Sequence, residues 1–189
     1  MKKIIITALC FINSLAFGQE NSNETVSVEK SLFGIQTGLL GIWIHNESRL
    51  SNQFALKSEL GLDSGFFANS TEFKFLMTPV LTLEPRWYYN LENRAAKNKK
   101  IQKNSGNFIA LKTSYNPDLF TISNADNLRV IDQLSIIPKW GIKRTYSDHL
   151  TFETGIGIGQ VFYFGKSSDY LAKKSDVALD LHLRIGYTF

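Results

Sequence analysis

The sequence predicts an all-β protein, an antiparallel up-and-down transmembrane β-barrel of eight strands. Three observations carry that expectation. Seven segments alternate large apolar residues with polar, charged or small ones at a period of two, which puts the two kinds on opposite faces of a strand. The final stretch from Ala178 to Phe189 does so without a break: Leu179, Leu181, Leu183, Ile185, Tyr187 and Phe189 against Asp180, His182, Arg184, Gly186 and Thr188. Beyond Phe17 no apolar run approaches the ~20 residues that a spanning helix requires. A chain of this kind crosses lipid only as a closed sheet, in which every backbone polar group finds a partner.

Residues 1–18 read as a secretory signal peptide. Lys2 and Lys3 precede an apolar stretch from Ile4 to Phe17, and Ala16 and Gly18 supply the small residues that put cleavage before Gln19. The remaining span, 19–189, reads as one barrel domain without repeat or linker. Cys10 falls within the signal, so the exported part is expected to form no disulfide. Lys2 and Lys3 account for two of the 21 basic residues, and 17 acidic residues stand against the others. So small an excess gives no argument for a nucleic-acid partner.

The strands follow in order. Asn23 to Lys30, with Val26 and Val28 on one face, is taken as a weak first strand. It completes the even number that single-chain bacterial barrels keep. Leu32 to His45 is read as one strand. Gln53–Asp63, Thr78–Asn90, Asn107–Asn116, Ile131–Arg144, His149–Phe164 and Ala178–Phe189 complete the set.

With the chain end placed in the periplasm, loops at about 64–77, 117–130 and 165–177 face outward, and turns at about 46–52 and 145–148 are tight. Trp43, Trp87, Tyr89 and Trp140 then read as a periplasmic aromatic girdle, level with Tyr187 and Phe189. The segment 91–106 carries Arg94, Lys97, Lys99, Lys100 and Lys103 against Glu92, and is expected to be a solvated, mobile loop. A sharper reading is contact with anionic head groups, each basic residue contributing about 1 kcal/mol near such a surface.

Alternation assigns Lys57, Glu59, Glu84, Arg86, Lys112, Lys139, Lys143, Glu153, Asp180, His182 and Arg184 to the interior. Eight strands enclose a space that side chains just fill, and charges there must be paired. A lumen filled by ion pairs is expected, with Gly155, Gly157 and Gly159 leaving room for long side chains. A narrow ion path is the alternative. The GxGxG spacing is no phosphate loop, since no helix follows it. Of the three histidines, His182 lies beside Asp180 on one strand face, whereas His45 and His149 are read at strand ends. Their spacing makes no metal cluster, and no serine is placed to complete a nucleophilic set. The expectation is a protein that is not an enzyme and uses no cofactor.

The terminal LHLRIGYTF, the signal and the alternating strands, with LEPRWYYNL and GNFIALKTSYNP, resemble small outer-membrane β-barrel proteins of Gram-negative bacteria, in particular uncharacterised members. The resemblance implies insertion into the outer membrane by the barrel-assembly machinery, which would read Tyr187 and Phe189. It implies outer-membrane lipids as partners and an envelope-structural or surface-display role. A porin-like narrow pore, a lipid-modifying enzyme and a secreted lipocalin-like barrel are the alternatives.

Overall fold

A computed structural model describes residues 26–68, 73–125, 130–164 and 174–189. The expected signal peptide, its cleavage point and parts of the upper loops lie outside these residues. The strands are β1 (Ser31–Gly38), β2 (Gly41–Arg49), β3 (Phe54–Ala68), β4 (Phe73–Trp87), β5 (Asn107–Asn116), β6 (Ile122–Ser123), β7 (Gln133–Thr145), β8 (Leu150–Tyr163) and β9 (Ser175–Thr188). Every pairing is antiparallel. The order β3-β2-β1-β9-β8-β7-β5-β4 returns through a β3–β4 pairing, so eight strands close into a ring. The two-residue β6 rides on β4 above the end of β5.

The first two strands differ from the sequence expectation. Asn23–Lys30 is not a strand where it is described; Val26–Lys30 is irregular, with a bend at Lys30. The run Leu32–His45 is two strands, folded back at Leu39–Leu40, with Gly38 opposite Gly41. Gly41 holds a φ of 147° at the start of the return strand, a conformation open chiefly to glycine. The even number of strands therefore comes from this hairpin.

Taking the chain end as the lower end, β1, β3, β5 and β8 rise, and β2, β4, β7 and β9 descend. The lower connections after β2 and β7 are short. Phe54 N–H donates to the Ser51 carbonyl at 3.2 Å, and Tyr146 N–H to the Leu150 carbonyl at 2.9 Å.

The segment after β4 is not a mobile loop. It forms helix α1 (Leu91–Ala96), then a single 3-10 turn at Gln102–Asn104, and it crosses the lower mouth of the ring. Leu91 is buried there with Val28, Ala55, Tyr88, Phe108 and Ala110, and Val26 and Ile101 pack against them. An apolar cap thus closes the lower end, built from the coil before β1 and the segment after β4. The lysines expected to be solvated at 97, 99 and 100 are indeed exposed, on the far side of this cap.

Candidate functional site

Inward-facing residues of the ring make one continuous polar column. Register sets its layers. Lys57 lies opposite Glu84 on β3–β4, Lys143 opposite Glu153 on β7–β8, and Glu153 opposite Arg184 on β8–β9. The centre is Arg86, which reaches across the ring to Glu153. Its Nη1 lies 2.9 Å from Oε2 and its Nη2 2.6 Å from Oε1. This two-pronged pairing matches the planar guanidinium to the carboxylate. The Arg86 Nε donates to Glu84 at 2.7 Å, and its guanidinium lies 4.2 Å above the Phe108 ring.

Around this centre the other charges are paired. Lys57 Nζ lies 2.6 Å from Glu59 and donates to Gln36 at 2.7 Å. Lys139 meets Glu84 at 3.0 Å, and Arg184 meets Glu59 at 2.7 Å. Lys112 and His182 both reach Asp180 at 2.7 Å. Lys143 meets Glu47 at 2.7 Å, and the Glu47 carboxylate also accepts from Asn104 Nδ2 at 2.7 Å. That last bond ties the column to the lower cap. Each of the inward groups expected from alternation is inside the ring, its lysines, arginines and carboxylates are ion-paired, and Arg86, Lys57, Lys143, Glu59, Glu84 and Glu153 are fully buried.

Gly155 supplies the room foreseen for it: a Cβ there would lie 2.6 Å from His182 Cε1. The sequence reading missed Gln36, Glu47, Tyr88 and Asn104. Gln36 and Glu47 were hidden by the unrecognised hairpin. Its signal was a change of parity, with Phe33 and Ile35 outward before the turn and Ile42 and Ile44 outward after it.

The same hairpin corrects the aromatic assignments. Trp43 is not on the outer face. It sits near the upper start of β2, buried, with the Arg184 guanidinium 3.9 Å above its ring and its Nε1–H donating to Asp63 at 2.8 Å. Trp87, Tyr89 and Trp140 do face outward at the lower end, joined by Trp140 Nε1–H donating to the Tyr89 hydroxyl at 2.9 Å. Tyr187 and Phe189 are outward at the same end, with ring centroids 5.4 Å apart. His45 lies inside the ring and both its ring nitrogens lack a partner among the described residues, whereas His149 is at the lower turn, stacked on Tyr187 at 5.0 Å.

Below, the cap's Arg94 donates to the Lys100 carbonyl at 2.8 Å, and desolvation lowers its pKa from the ordinary guanidinium value. Lys103 Nζ donates to the Phe189 carbonyl at 2.9 Å. Above the ion pairs the column opens into a cavity of about 780 Å³, whose lining includes Trp43, Asp63, Lys112, Asn116, Gln133, Asp180 and Arg184. Among the described residues no group of three or more His, Cys, Asp or Glu is placed to hold a metal ion. The arrangement is a fixed column of opposed charges under a cup lined by both polar and apolar side chains. Comparison with protein-family models, curated proteins and solved structures found no match for this chain.

Proposed function

We propose that this chain is an integral outer-membrane β-barrel protein whose sealed lumen makes it a structural element of the envelope and a rigid support for its upper loops. One observation carries the proposal: the ring is inside out. Phe33, Ile44, Leu60, Ile109, Ile156 and Leu183 stand exposed on its outer wall, while Lys57, Glu59, Glu84, Arg86 and Glu153 are buried within. Burial of apolar surface is the main favourable term in folding. A wall of this kind gains it only by contact with lipid or another apolar phase.

Further support comes from Trp87, Tyr89, Trp140, Tyr187 and Phe189, gathered outward at one end, where a membrane–water interface would hold them. With that end in the periplasm, the terminal Tyr187 and Phe189 are the residues offered to the assembly machinery, and Lys97, Lys99 and Lys100 face anionic head groups. The fully buried ion pairs and the cap below them favour a support over a pore. Residues 1–18 serve in this reading as the export signal, removed before Gln19.

Gel mobility of the outer-membrane fraction, with and without boiling, tests the proposal. A band that shifts on heating is expected. A soluble protein with no heat-dependent shift would overturn it and favour a lipocalin-like barrel.

A further inference from the structure

The wall of the ring is notched. The β1–β2 hairpin ends at Leu39–Leu40, and the last β1 pair with β9 is Gly38 with Arg184. Above it, Ser175–Leu183 of β9 pair with β8 on one side. On the other side no described strand meets them. Across the notch, β3 continues above its last β2 pair, Asp63 with Gly41, and is joined there to β4 alone apart from one bond from Ser64 N–H to the Leu40 carbonyl. A tilted strand climbs ~2.5 Å per residue, so the notch begins roughly 13 Å above the lower end, about midway up a ~25 Å apolar band.

The cavity of about 780 Å³ lies at this notch. Its lining joins two chemistries: outward Leu39, Leu179 and Leu181 at the notch, and inward Lys112 and Arg184 beside Asp63 and Asp180. Leu39, Leu179 and Leu181 are 76%, 75% and 71% exposed. Two cations stand on the inner wall. Arg184 is buried, its Nη1 is bonded to Glu59, and its buried Nε has no partner among the described residues. The Lys112 ammonium is the more open of the two cations, its side chain 15% exposed. Small-molecule sites span roughly 300–1,000 Å³ and combine an apolar wall with a few placed polar groups.

We infer that the cavity binds a single-chain amphiphile with an oxyanion headgroup, the headgroup inside against Lys112 and Arg184 and the chain leaving sideways over Leu39, Leu179 and Leu181. The inference rests on the membrane reading above, which makes the notch open into lipid. A carboxylate or a phosphate meets the inner chemistry equally, since each offers acceptor oxygens and negative charge to a buried guanidinium.

Equilibrium binding of radiolabelled palmitate, hexadecyl phosphate and hexadecanol to the full exported chain in neutral detergent tests it. Saturable binding of one palmitate or one hexadecyl phosphate per chain is expected, and whichever binds more tightly identifies the headgroup. Hexadecanol should bind at least tenfold more weakly than that probe. Ala178→Trp puts bulk into the cavity from β9 and replaces no ion-paired residue, and should abolish binding while the heat shift persists. Lys112→Gln should weaken the anionic probes about tenfold and leave hexadecanol unchanged. Heat-shiftable wild-type protein that binds no probe, or an Ala178→Trp protein that binds as wild type, would overturn the inference and leave the membrane reading standing. Absence of the heat shift would overturn both.

Discussion

Arg86 holds the ring's interior together by touching three walls. Its guanidinium takes Glu153 from β8, Glu84 from its own strand and the face of Phe108 from β5. Removing one partner from a buried ion pair leaves the other charge uncompensated, at a cost of about 3–5 kcal/mol. Arg86→Met should lower stability to that extent in urea titrations of the detergent-solubilised protein. Arg86→Lys should recover only part of it, because an ammonium cannot make the paired contact with Glu153. Glu153→Gln tests the same contact from the other side, and should leave the ring closed but less stable. Arg86, Glu84 and Glu153 were readable in the sequence as inward groups, since alternation fixes a face. Their pairing was not. Glu84 and Arg86 share a strand, but Glu153 lies far along the chain, and only ring closure makes them neighbours.

Strands β5, β7, β8 and β9 and the lower parts of β3 and β4 fall close to where the alternation put them, because apolar and polar faces differ along those stretches. β3 and β4 run on through 64–68 and 73–77, and β6 forms within 117–130, all expected as loop because the alternation breaks there. The β1–β2 hairpin was hidden by its turn. Leu39 and Leu40 are as apolar as the strands they join, so no polar punctuation marks the reversal, and only Gly38 and Gly41 flank it. The cap was hidden by its lysines. Leu91 and Ile101 are two apolar residues in a basic stretch, and their partners Tyr88, Phe108 and Val28 come from three other parts of the chain. The cap's role can be checked directly. Replacing 91–106 with a short turn removes Leu91, Ile101 and Asn104 together. The shortened protein should unfold at a lower urea concentration than the full chain, because the buried contacts of Leu91 and Ile101 and the Asn104–Glu47 bond are lost together. Asn104→Ala is a milder form of the same test. It strips one hydrogen bond from Glu47 and one from Glu29 N–H, and should cost about 1–3 kcal/mol, read by urea titration.

The outer wall supports a prediction that separates lipid from water as the surroundings of the ring. Leu60 is 55% exposed and stands in mid-strand between Ile44 on β2 and Leu81 on β4, away from the aromatic end. In a bilayer Leu60→Arg should cost about 2–4 kcal/mol in reversible unfolding from lipid vesicles. On a wall facing water the same change would be close to neutral. At the lower rim, Phe189→Asp should reduce the amount of chain in the outer-membrane fraction, and unchanged levels would remove the terminal residue from the assembly reading.

Ring closure joins the first strand to the last. The β1–β9 pairing runs from Gly34 to Gly38, five pairs, as many as in the interrupted β4–β5 contact and fewer than in any other seam between neighbouring ring strands. Contacts between distant parts of a chain form slowly, because their loop entropy is spent before they contribute. No partly made chain can close this ring, so β1 must wait for β9. The amides of Ile35 and Thr37, on the side of β1 that meets β9, would then be the last to gain protection from hydrogen exchange during folding and the first to lose it.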